Sequence, residues 1–238
     1  MGVLLLTGCI DPKGMVLTAL QNYEDRKSQY ILTIRYYLKE TSVPIVFVEN
    51  SGTDISTEFN DLEKTRVEFI TFSNNDYDRN LGKGYGEMLI LMKAVEQSKY
   101  INNAEFICKI TGRYRIKNIN NLLQSYQLEK IDIYGLQKFN FQFVDSRIFI
   151  AEKCFFSDFL FQFLDSLNDS KGVYFEHCLS KATLLAMASG KRFMPFKYLP
   201  WIVGQSGTDG SFYKSSIFHW LPRNLIQRAK YFLNKINL

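Results

Sequence analysis

Residues 3–8 read VLLLTG, a continuous apolar run that ends in a small polar turn. A run of this length and composition predicts a strand that is buried on both faces, as in a parallel sheet. Three similar runs follow at residues 44–48, 67–72 and 106–110. Helical patterns separate the first run from the second and the third from the fourth. This half of the chain therefore predicts a mostly parallel sheet with helices on both faces.

Two helices and a more irregular second half complete the predicted fold. One helix covers residues 15–39, and the other begins within GKGYGE at residues 82–87. The second half predicts two strands, two helices and a loop, at residues 131–137, 141–151, 155–167, 175–189 and 201–213. No repeat or linker divides the chain, so we expect one α/β domain over residues 1–220. A basic amphipathic helix is predicted to follow at residues 221–238.

The composition is that of a folded protein in a reducing compartment. Of the 238 residues, 46% are hydrophobic and 22% are charged, which argues against disorder. The four cysteines form no CxxC pair, so we expect buried, reduced thiols. The first residues lack the charged flank of a signal peptide, and no apolar run reaches the roughly 18 residues of a membrane span. The sequence predicts a cytoplasmic protein.

The charge of the chain indicates the kind of partner. The formal net charge is +5, which fits an anionic partner such as a nucleoside diphosphate or an acidic lipid surface. The charge is too small and too dispersed to indicate nucleic acid, and we expect no nucleic-acid partner.

Small or polar residues follow each predicted strand of the first half. In open α/β sheets the ligand binds beyond the carboxyl ends of the strands, so these residues are candidates for a binding site. The alternative is that polar turns follow every strand whatever its function. The candidates at the strand ends are Thr7, Gly8, Glu49, Asn50, Asn74 and Thr111.

The glycine-rich segment at residues 82–86 reads GKGYG and opens a helix. Gly84 would let the backbone approach a ligand, the helix start would present N–H groups to an anion, and Lys83 would add a positive charge. The spacing matches neither a dinucleotide fingerprint nor a Walker loop. A plain flexible turn explains the segment equally well.

Lys109, Thr111 and Arg113 alternate along the end of the fourth strand and are predicted to share one face. Two fixed positive charges there would hold a diphosphate, and the planar fork of arginine suits phosphate. The alternative is an ion pair between the strand end and a carboxylate such as Glu87.

Acidic residues in the second half are candidates for contacts with an acceptor and for a general base. Asp145 stands in an aromatic stretch predicted to be a strand, where a charge is out of place unless it faces a site. Glu176 and His177 stand at a predicted helix start, and Asp209 stands in a Gly- and Ser-rich loop. Two of them also have a plain structural explanation, since His177 could be a structural histidine and Asp209 could form a polar turn.

The order of these pieces resembles GT-A glycosyltransferases of the large family-2-like group. The segment RNLG at 79–82 stands where that group has an Asn-x-Gly element, and residues 106–113 stand where it has a metal-binding Asp-x-Asp motif. The segment FEHCL at 175–179 stands where it has a Glu-Asp pair. The segments LLTG, ENSG, GKGYGE and KITGRY also resemble small proteins of bacterial capsule and O-antigen gene clusters.

The resemblance implies a GT-A-like fold with a nucleotide-sugar-binding half at 1–115 and an acceptor-binding half at 116–220. It implies transfer of a sugar, hexosyl or related, from a nucleotide donor to a lipid-linked saccharide in the biosynthesis of capsule, O-antigen or lipooligosaccharide. The chain departs from the pattern because Thr111-Gly112-Arg113 replaces Asp-x-Asp and Glu176-His177 replaces Glu-Asp. We therefore expect no metal ligands and metal-independent transfer, with Lys83, Lys109 and Arg113 offsetting the diphosphate charge. The alternative is a divalent metal, Mn²⁺ or Mg²⁺, bound without an Asp-x-Asp motif.

Two other functions fit the sequence. A sugar nucleotidyltransferase shares the first half of such a fold, but residues 8–14, GCIDPKG, match its phosphate loop poorly. A non-catalytic nucleotide- or sugar-binding scaffold would explain the missing metal carboxylates. In the tail, Leu225, Ile226, Ala229, Phe232, Leu233 and Ile236 line one side among basic residues. This pattern predicts either a peripheral helix on the acidic inner face of the membrane or a helix docked on the domain.

Overall fold

The computed structural model describes residues 1–15, 18–74, 77–129 and 131–236. Its strands, in chain order, are β1 (Gly2–Gly8), β2 (Ile45–Glu49), β3 (Val67–Thr71), β4 (Phe106–Thr111), β5 (Arg115–Ile116), β6 (Ile133–Gly135), β7 (Gln137–Lys138), β8 (Phe143–Val144), β9 (Ile148–Ala151), β10 (Phe193–Pro195) and β11 (Ile202–Val203). Its α-helices are α1 (Tyr23–Glu40), α2 (Asp61–Lys64), α3 (Gly82–Gln97), α4 (Lys99–Asn102), α5 (Ile119–Leu128), α6 (Phe175–Ala188) and α7 (Ile217–Ile236).

A seven-stranded mixed sheet with the order β10-β6-β9-β4-β1-β2-β3 forms the centre of the molecule. β1 lies between β2 and β4 and is parallel to both, with Leu5 opposite Val46 on one side and Lys109 on the other. β9 runs antiparallel to β4 and to β6. The predicted fold class, a single α/β domain with a mostly parallel sheet flanked by helices, is confirmed.

Alternation along β1 divides the core between the two faces of the sheet. Leu4 and Leu6 pack with side chains of α1 and α5 on one face. Val3 and Leu5 pack with side chains of α3 and α6 on the other. Every side chain of β1 and β2 is buried, which explains why their sequences are continuous apolar runs. The carboxyl ends of β1, β2 and β4 therefore emerge together at one edge of a rigid sheet.

Several predicted elements differ in extent from those in the structure, among them the strand predicted at 131–137, which is divided into β6 and the beginning of β7. The first helix begins at Tyr23 instead of residue 15, because Asn22 caps it by accepting a hydrogen bond from the backbone N–H of Asp25. The predicted strand at 141–151 is divided into β8 and β9, with Asp145 in the turn between them. The helix predicted at 155–167 is a π-helical turn followed by a 3₁₀ turn. Residues 16, 17, 237 and 238 of the predicted helices lie outside the described residues.

The C-terminal helix α7 begins at Ile217, four positions before the predicted start, and contains Pro222 in its first turns. It docks on the domain through Asn224, whose Oδ1 accepts a 2.9 Å hydrogen bond from the backbone N–H of Leu199, and through the fully buried Tyr231. Among the described residues, no helix is long and apolar enough to cross a bilayer.

The four cysteines, all within the described residues, form no disulfide bonds. Cys108 and Cys178 are buried as expected, whereas Cys9 and Cys154 are half-buried, so the expectation of four buried thiols was wrong for these two. Burial raises the pKa of the Cys108 thiol well above its usual range, which makes it an inert part of the core.

Candidate ligand-binding cleft

A cleft opens at the carboxyl ends of β1, β2 and β4, where the sequence predicts a binding site. Its volume is about 130 Å³. Thr7, Gly8, Asn50 and Thr111 form its polar floor at the strand ends. The remaining lining residues come from the segment after β1, from α1, from α3 and from three other loops: Cys9, Pro12, Met15, Thr18, Arg26, Tyr30, Tyr77, Lys83, Gly86, Glu87, Ile90, Arg113 and Gly207.

Glu49, predicted to contact a nucleotide, lies beneath the floor and is fully buried. Its carboxylate accepts hydrogen bonds from the backbone N–H groups of Ile10 at 2.8 Å, Ser51 at 2.9 Å and Thr53 at 2.9 Å. Burial raises the pKa of Glu49 although these hydrogen bonds oppose the shift. The side chain thus ties together the loops that follow β1 and β2.

Asn50, the next residue, faces the cleft. It is 1% exposed, and its Oδ1 accepts no hydrogen bond from the described residues. Most buried polar atoms have a partner, so an unpaired acceptor in a cleft wall is a place where a ligand can donate a hydrogen bond. Asn74 lies outside the cleft: its backbone N–H donates to the carbonyl of Asn50 at 3.1 Å, and the residue itself is exposed.

Three cationic side chains from separate segments line the cleft. Arg26 of α1 donates to the carbonyls of Cys9 at 2.8 Å and Leu20 at 3.0 Å. Arg113, 6% exposed, donates to Oε1 of Gln29 at 3.0 Å, and its Nε finds no acceptor among the described residues. Lys83, from the second residue of α3, reaches across to the hydroxyl of Thr208. The sequence indicated Lys83 and Arg113, but Arg26 carries no motif that marks it.

Lys109 does not contact the cleft directly. It is fully buried, forms an ion pair with Glu87, and donates to the carbonyl of Ser146 at 2.5 Å. This is the ion pair that the sequence offered as the alternative to phosphate binding. Arg113 stands in the turn after β4, so the alternation expected to place it on one face with Lys109 and Thr111 does not extend that far.

The glycines of the GKGYG segment fit against neighbouring side chains and do not form an open anion site. The backbone N–H of Gly84 points to Oδ2 of Asp169 at 3.4 Å, so this helix start already faces a carboxylate. A Cβ at Gly82 would collide with the same Asp169, and one at Gly86 would collide with the hydroxyl of Tyr77. Gly84 itself is buried and absent from the cleft wall.

Asp145 lines a second, smaller cavity beside Tyr213 and Trp201. Its carboxylate accepts two hydrogen bonds from the guanidinium of Arg147, at 2.9 and 2.5 Å. Burial alone would raise the pKa of Asp145, but the hydrogen bonds and charge of Arg147 lower it to about 2. A carboxylate this acidic is a weak base at neutral pH, and its position indicates a structural ion pair.

The other candidate acids and the histidine also lie outside the cleft wall. Glu176 accepts a 2.6 Å hydrogen bond from the hydroxyl of Ser146. His177 accepts one from the backbone N–H of Tyr174 at 3.1 Å and so closes the first turn of α6. Asp209 is exposed and accepts from the backbone N–H and hydroxyl of Ser211, which is a turn geometry. The structure does not bring these three side chains together.

The loop at residues 204–210 lies across the cleft. The carbonyl of Gly207 accepts a 2.9 Å hydrogen bond from the backbone N–H of Ala19, and Gln205 accepts one from Gln29 at 3.2 Å. A Cβ at Gly207 would collide with the guanidinium of Arg113. The Gly- and Ser-rich loop of the sequence is thus a cover held by contacts on both sides of the cleft.

No model of a known protein family matches the sequence, and no curated protein matches it. Similar solved structures include a protein from Desulfovibrio desulfuricans G20 assigned as a nucleotide-diphospho-sugar transferase, with 12% identity, coverage of 97% of each chain and a TM-score of 0.46. The galactosyltransferase LgtC, in complex with donor and acceptor sugar analogues, aligns with 7% identity over 83% of this chain and 74% of its own, with a TM-score of 0.48.

A cytidylyltransferase from Leptospira borgpetersenii aligns with 12% identity over 82% of this chain and 75% of its own, with a TM-score of 0.43. With TM-scores below 0.5, the alignments describe a loose likeness of fold, and the function proposed below rests on the cleft.

Proposed function

We propose that this chain is a glycosyltransferase that binds the diphosphate of a nucleotide-sugar donor between Lys83 and Arg113. The observation that carries the proposal is the convergence of Arg26, Lys83 and Arg113 on a cleft at the carboxyl ends of parallel strands. Among the described lining residues, Glu87 carries the one carboxylate, and the buried Lys109 already balances its charge. The cleft therefore has a net positive charge and suits a dianionic group.

The floor of the cleft supports the binding of a nucleoside or sugar beside the phosphates. Asn50 offers an unpaired acceptor, and the Thr7 side chain lies beside it at the end of β1. The buried Nε of Arg113 has no acceptor among the described residues, so when the cleft opens it can donate to a phosphate oxygen while the bond to Gln29 is kept.

Metal-independent transfer is part of the proposal. In residues 1–15, 18–74, 77–129 and 131–236, no group of three or more His, Cys, Asp or Glu side chains is placed to hold a metal ion. The proposal rests on the cations that are present, because Lys83, Arg26 and Arg113 can offset the charge of a diphosphate leaving group.

A complete nucleotide sugar requires the cleft to open. Sites for small molecules usually have volumes of about 300–1,000 Å³, whereas this cleft has about 130 Å³. The loop at 204–210 is the natural part to move, because Lys83, Gln29 and Ala19 hold it through a few polar contacts. We propose that donor phosphate replaces Thr208 as the partner of Lys83.

We further propose a lipid-linked saccharide acceptor, with α7 holding the enzyme peripherally on an anionic membrane. The four basic residues of α7 have no acidic residue among them. Its side opposite Asn224 and Tyr231 exposes large apolar side chains, with exposed fractions of 86% for Phe218, 55% for Leu225 and 63% for Leu233. Lys235 pairs with Glu129 of the domain, and Arg228 lies over the ring of Tyr198, whereas Arg223 and Lys230 are exposed. An exposed apolar stripe with exposed cations beside it is the pattern of a helix on an acidic bilayer surface.

Sedimentation with vesicles tests the role of α7. We expect the full chain to sediment with vesicles that contain phosphatidylglycerol and to stay in solution with pure phosphatidylcholine. The double variant Phe218→Ser and Leu225→Ser should lose this binding, because both side chains are exposed and their removal leaves the docked side intact. Leu62→Ser, which removes an 81% exposed leucine from α2, is the matched control. If the double variant sediments with these vesicles as completely as Leu62→Ser does, α7 has no role in membrane binding.

Turnover tests the proposed reaction. We expect release of a free nucleoside diphosphate from one of the UDP-, GDP- or dTDP-sugars when a polyprenyl-diphosphate saccharide is added. Arg113→Met should abolish the release. Saturable nucleotide binding without turnover on any acceptor would favour a non-catalytic scaffold, and release of pyrophosphate from a nucleoside triphosphate would favour a nucleotidyltransferase.

A further inference from the structure

Among the described residues that line the cleft, one carries a carboxylate, and no motif in the sequence marks it as a binding residue. Asp145 is paired with Arg147, Asp209 closes an exposed turn, and Glu176 accepts from Ser146. Glu87 on the second turn of α3 lines the cleft beside Thr7 and Asn50. It was named in the sequence only as the possible ion-pair partner of a lysine.

Buried groups hold the Glu87 side chain in place. The Thr7 hydroxyl donates a 3.1 Å hydrogen bond to its Oε1, and the fully buried Lys109 forms an ion pair with the same oxygen. Lys109 is itself fixed by the carbonyl of Ser146. A buried ammonium with this arrangement needs its carboxylate partner, so Glu87 has little freedom to move. Both contacts fall on Oε1, which leaves the lone pairs of Oε2 for a group in the cleft.

The position of Glu87 relative to the cations indicates what that group is. Lys83 and Glu87 are four residues apart on α3, so their Cβ atoms lie about 5–6 Å from each other on one face of the helix. A ligand held there presents a negative group to Lys83 and hydrogen-bond donors to Glu87. Vicinal hydroxyls next to a phosphate have this chemistry, and a carboxylate binds such a pair by accepting two hydrogen bonds.

We infer that Glu87 binds the vicinal hydroxyls of a phosphorylated sugar, and that Lys109 is a positioning residue that acts through Glu87. This inference rests on the proposed function for its ligand class. The hydroxyls belong either to the ribose of a nucleotide or to the hexose of a donor, because both place a diol near a phosphate. Glu87 therefore selects for sugar hydroxyls, while Lys83 and Arg113 bind the phosphates.

The test compares ligands with and without hydroxyls on three proteins. Binding of UDP, 2′,3′-dideoxy-UDP, UDP-glucose and glucose 1-phosphate is measured by calorimetry on the native chain, Glu87→Gln and Glu96→Gln. Glu96 is an exposed glutamate of the same helix, paired with Lys93 on the surface, and serves as the control. We expect Glu87→Gln to weaken binding of a hydroxylated ligand about tenfold to a hundredfold, since a hydrogen bond to a charged group is lost.

The arms of the experiment separate the two sources. If Glu87 binds the ribose, Glu87→Gln weakens the binding of UDP but leaves the binding of 2′,3′-dideoxy-UDP unchanged. If Glu87 binds the hexose, Glu87→Gln weakens the binding of UDP-glucose and glucose 1-phosphate but leaves the binding of UDP unchanged. Equal affinity of the native chain and Glu87→Gln for all four ligands overturns the inference and leaves the proposed function standing. If glucose 1-phosphate binds in a way that depends on Glu87 and no nucleotide binds, the inference is supported and the proposed function is overturned. Binding of none of the four would overturn the inference, and the thermal shifts with GDP, CDP and TDP would then decide the proposed function on their own.

A second variant guards against loss of folding. Glu87→Gln leaves Lys109 buried without its partner, so the double variant Glu87→Gln with Lys109→Met removes both charges and keeps the volume. We expect it to be folded and to show the same loss of hydroxyl-dependent binding. Lys109→Met alone should weaken the same ligands while leaving dideoxy-UDP unaffected. A double variant that binds as tightly as the native chain would overturn the role of Glu87.

Discussion

Replacement of Asp145 by asparagine tests the account of the buried ion pair beside the second cavity. The carboxylate is 4% exposed and is held by Arg147 and Lys138. These contacts lower its pKa from 3.8 to about 2. At about 1.4 kcal/mol per pKa unit, this difference contributes about 2 kcal/mol to the free energy of unfolding at pH 7.

The dependence on pH follows from the direction of the shift. Because the folded pKa lies below the unfolded pKa, the contribution is complete above about pH 5 and is lost as the pH falls towards 2. Urea denaturation should show Asp145→Asn less stable than the native chain by about 2 kcal/mol at pH 7 and by about half of that at pH 3. The exposed Asp165→Asn is the control, for which we expect a small and constant difference. A stability difference for Asp145→Asn that stays the same from pH 7 to pH 3 would refute the ion pair.

Three further substitutions test the residues around the cleft. Lys109→Met should lower the free energy of unfolding by about 1–3 kcal/mol in urea titration, because the partly exposed Glu87 loses its ion-pair partner; an unchanged midpoint would contradict this. Gly86→Ala should lower the free energy of unfolding by about 1–3 kcal/mol through overpacking. Gly135→Ala should lower it less, because a Cβ there meets only ordinary contacts. Glu49→Gln should cost about 1–3 kcal/mol because its amide cannot accept from all the backbone N–H groups, and a native melting temperature would contradict its role in tying the loops.

Much of the fold can be predicted from the sequence because burial of a strand or a helix face leaves a pattern in consecutive residues. The runs at β1 and β2 are buried on both faces, so their sequences are continuous and apolar and were predicted as parallel strands. Helix α1 was predicted too long because the segment before Asn22 is apolar enough to extend the helical pattern, and only the cap ends it. The division between β8 and β9 was missed because Asp145 is stabilised there by a tertiary ion pair that no local pattern shows.

Part of the cleft wall could also be predicted from the sequence, because the end of a buried strand has a local pattern. The strand-end pattern placed Thr7, Asn50 and Arg113 at the carboxyl edge of the sheet, where the structure has its cleft, and their role in binding stays a prediction. Alternation along a strand could not show that Lys109 would lie under α3, since its burial depends on Glu87 of another element. Arg26 was missed because a helical arginine without a motif has no signal in a single sequence.

The central claim is that Lys83 and Arg113 bind the diphosphate of a nucleoside diphosphate without a metal ion. The most direct measurement is the thermal shift of the native chain and of Arg113→Met with UDP, GDP, CDP, TDP and CMP, each in Mn²⁺ and in EDTA. A ligand that binds the folded state must raise the melting temperature by mass action. The account predicts that one nucleoside diphosphate stabilises the native chain equally in Mn²⁺ and in EDTA, and that Arg113→Met loses this shift. No shift with any nucleotide, or a shift that EDTA abolishes, would contradict it.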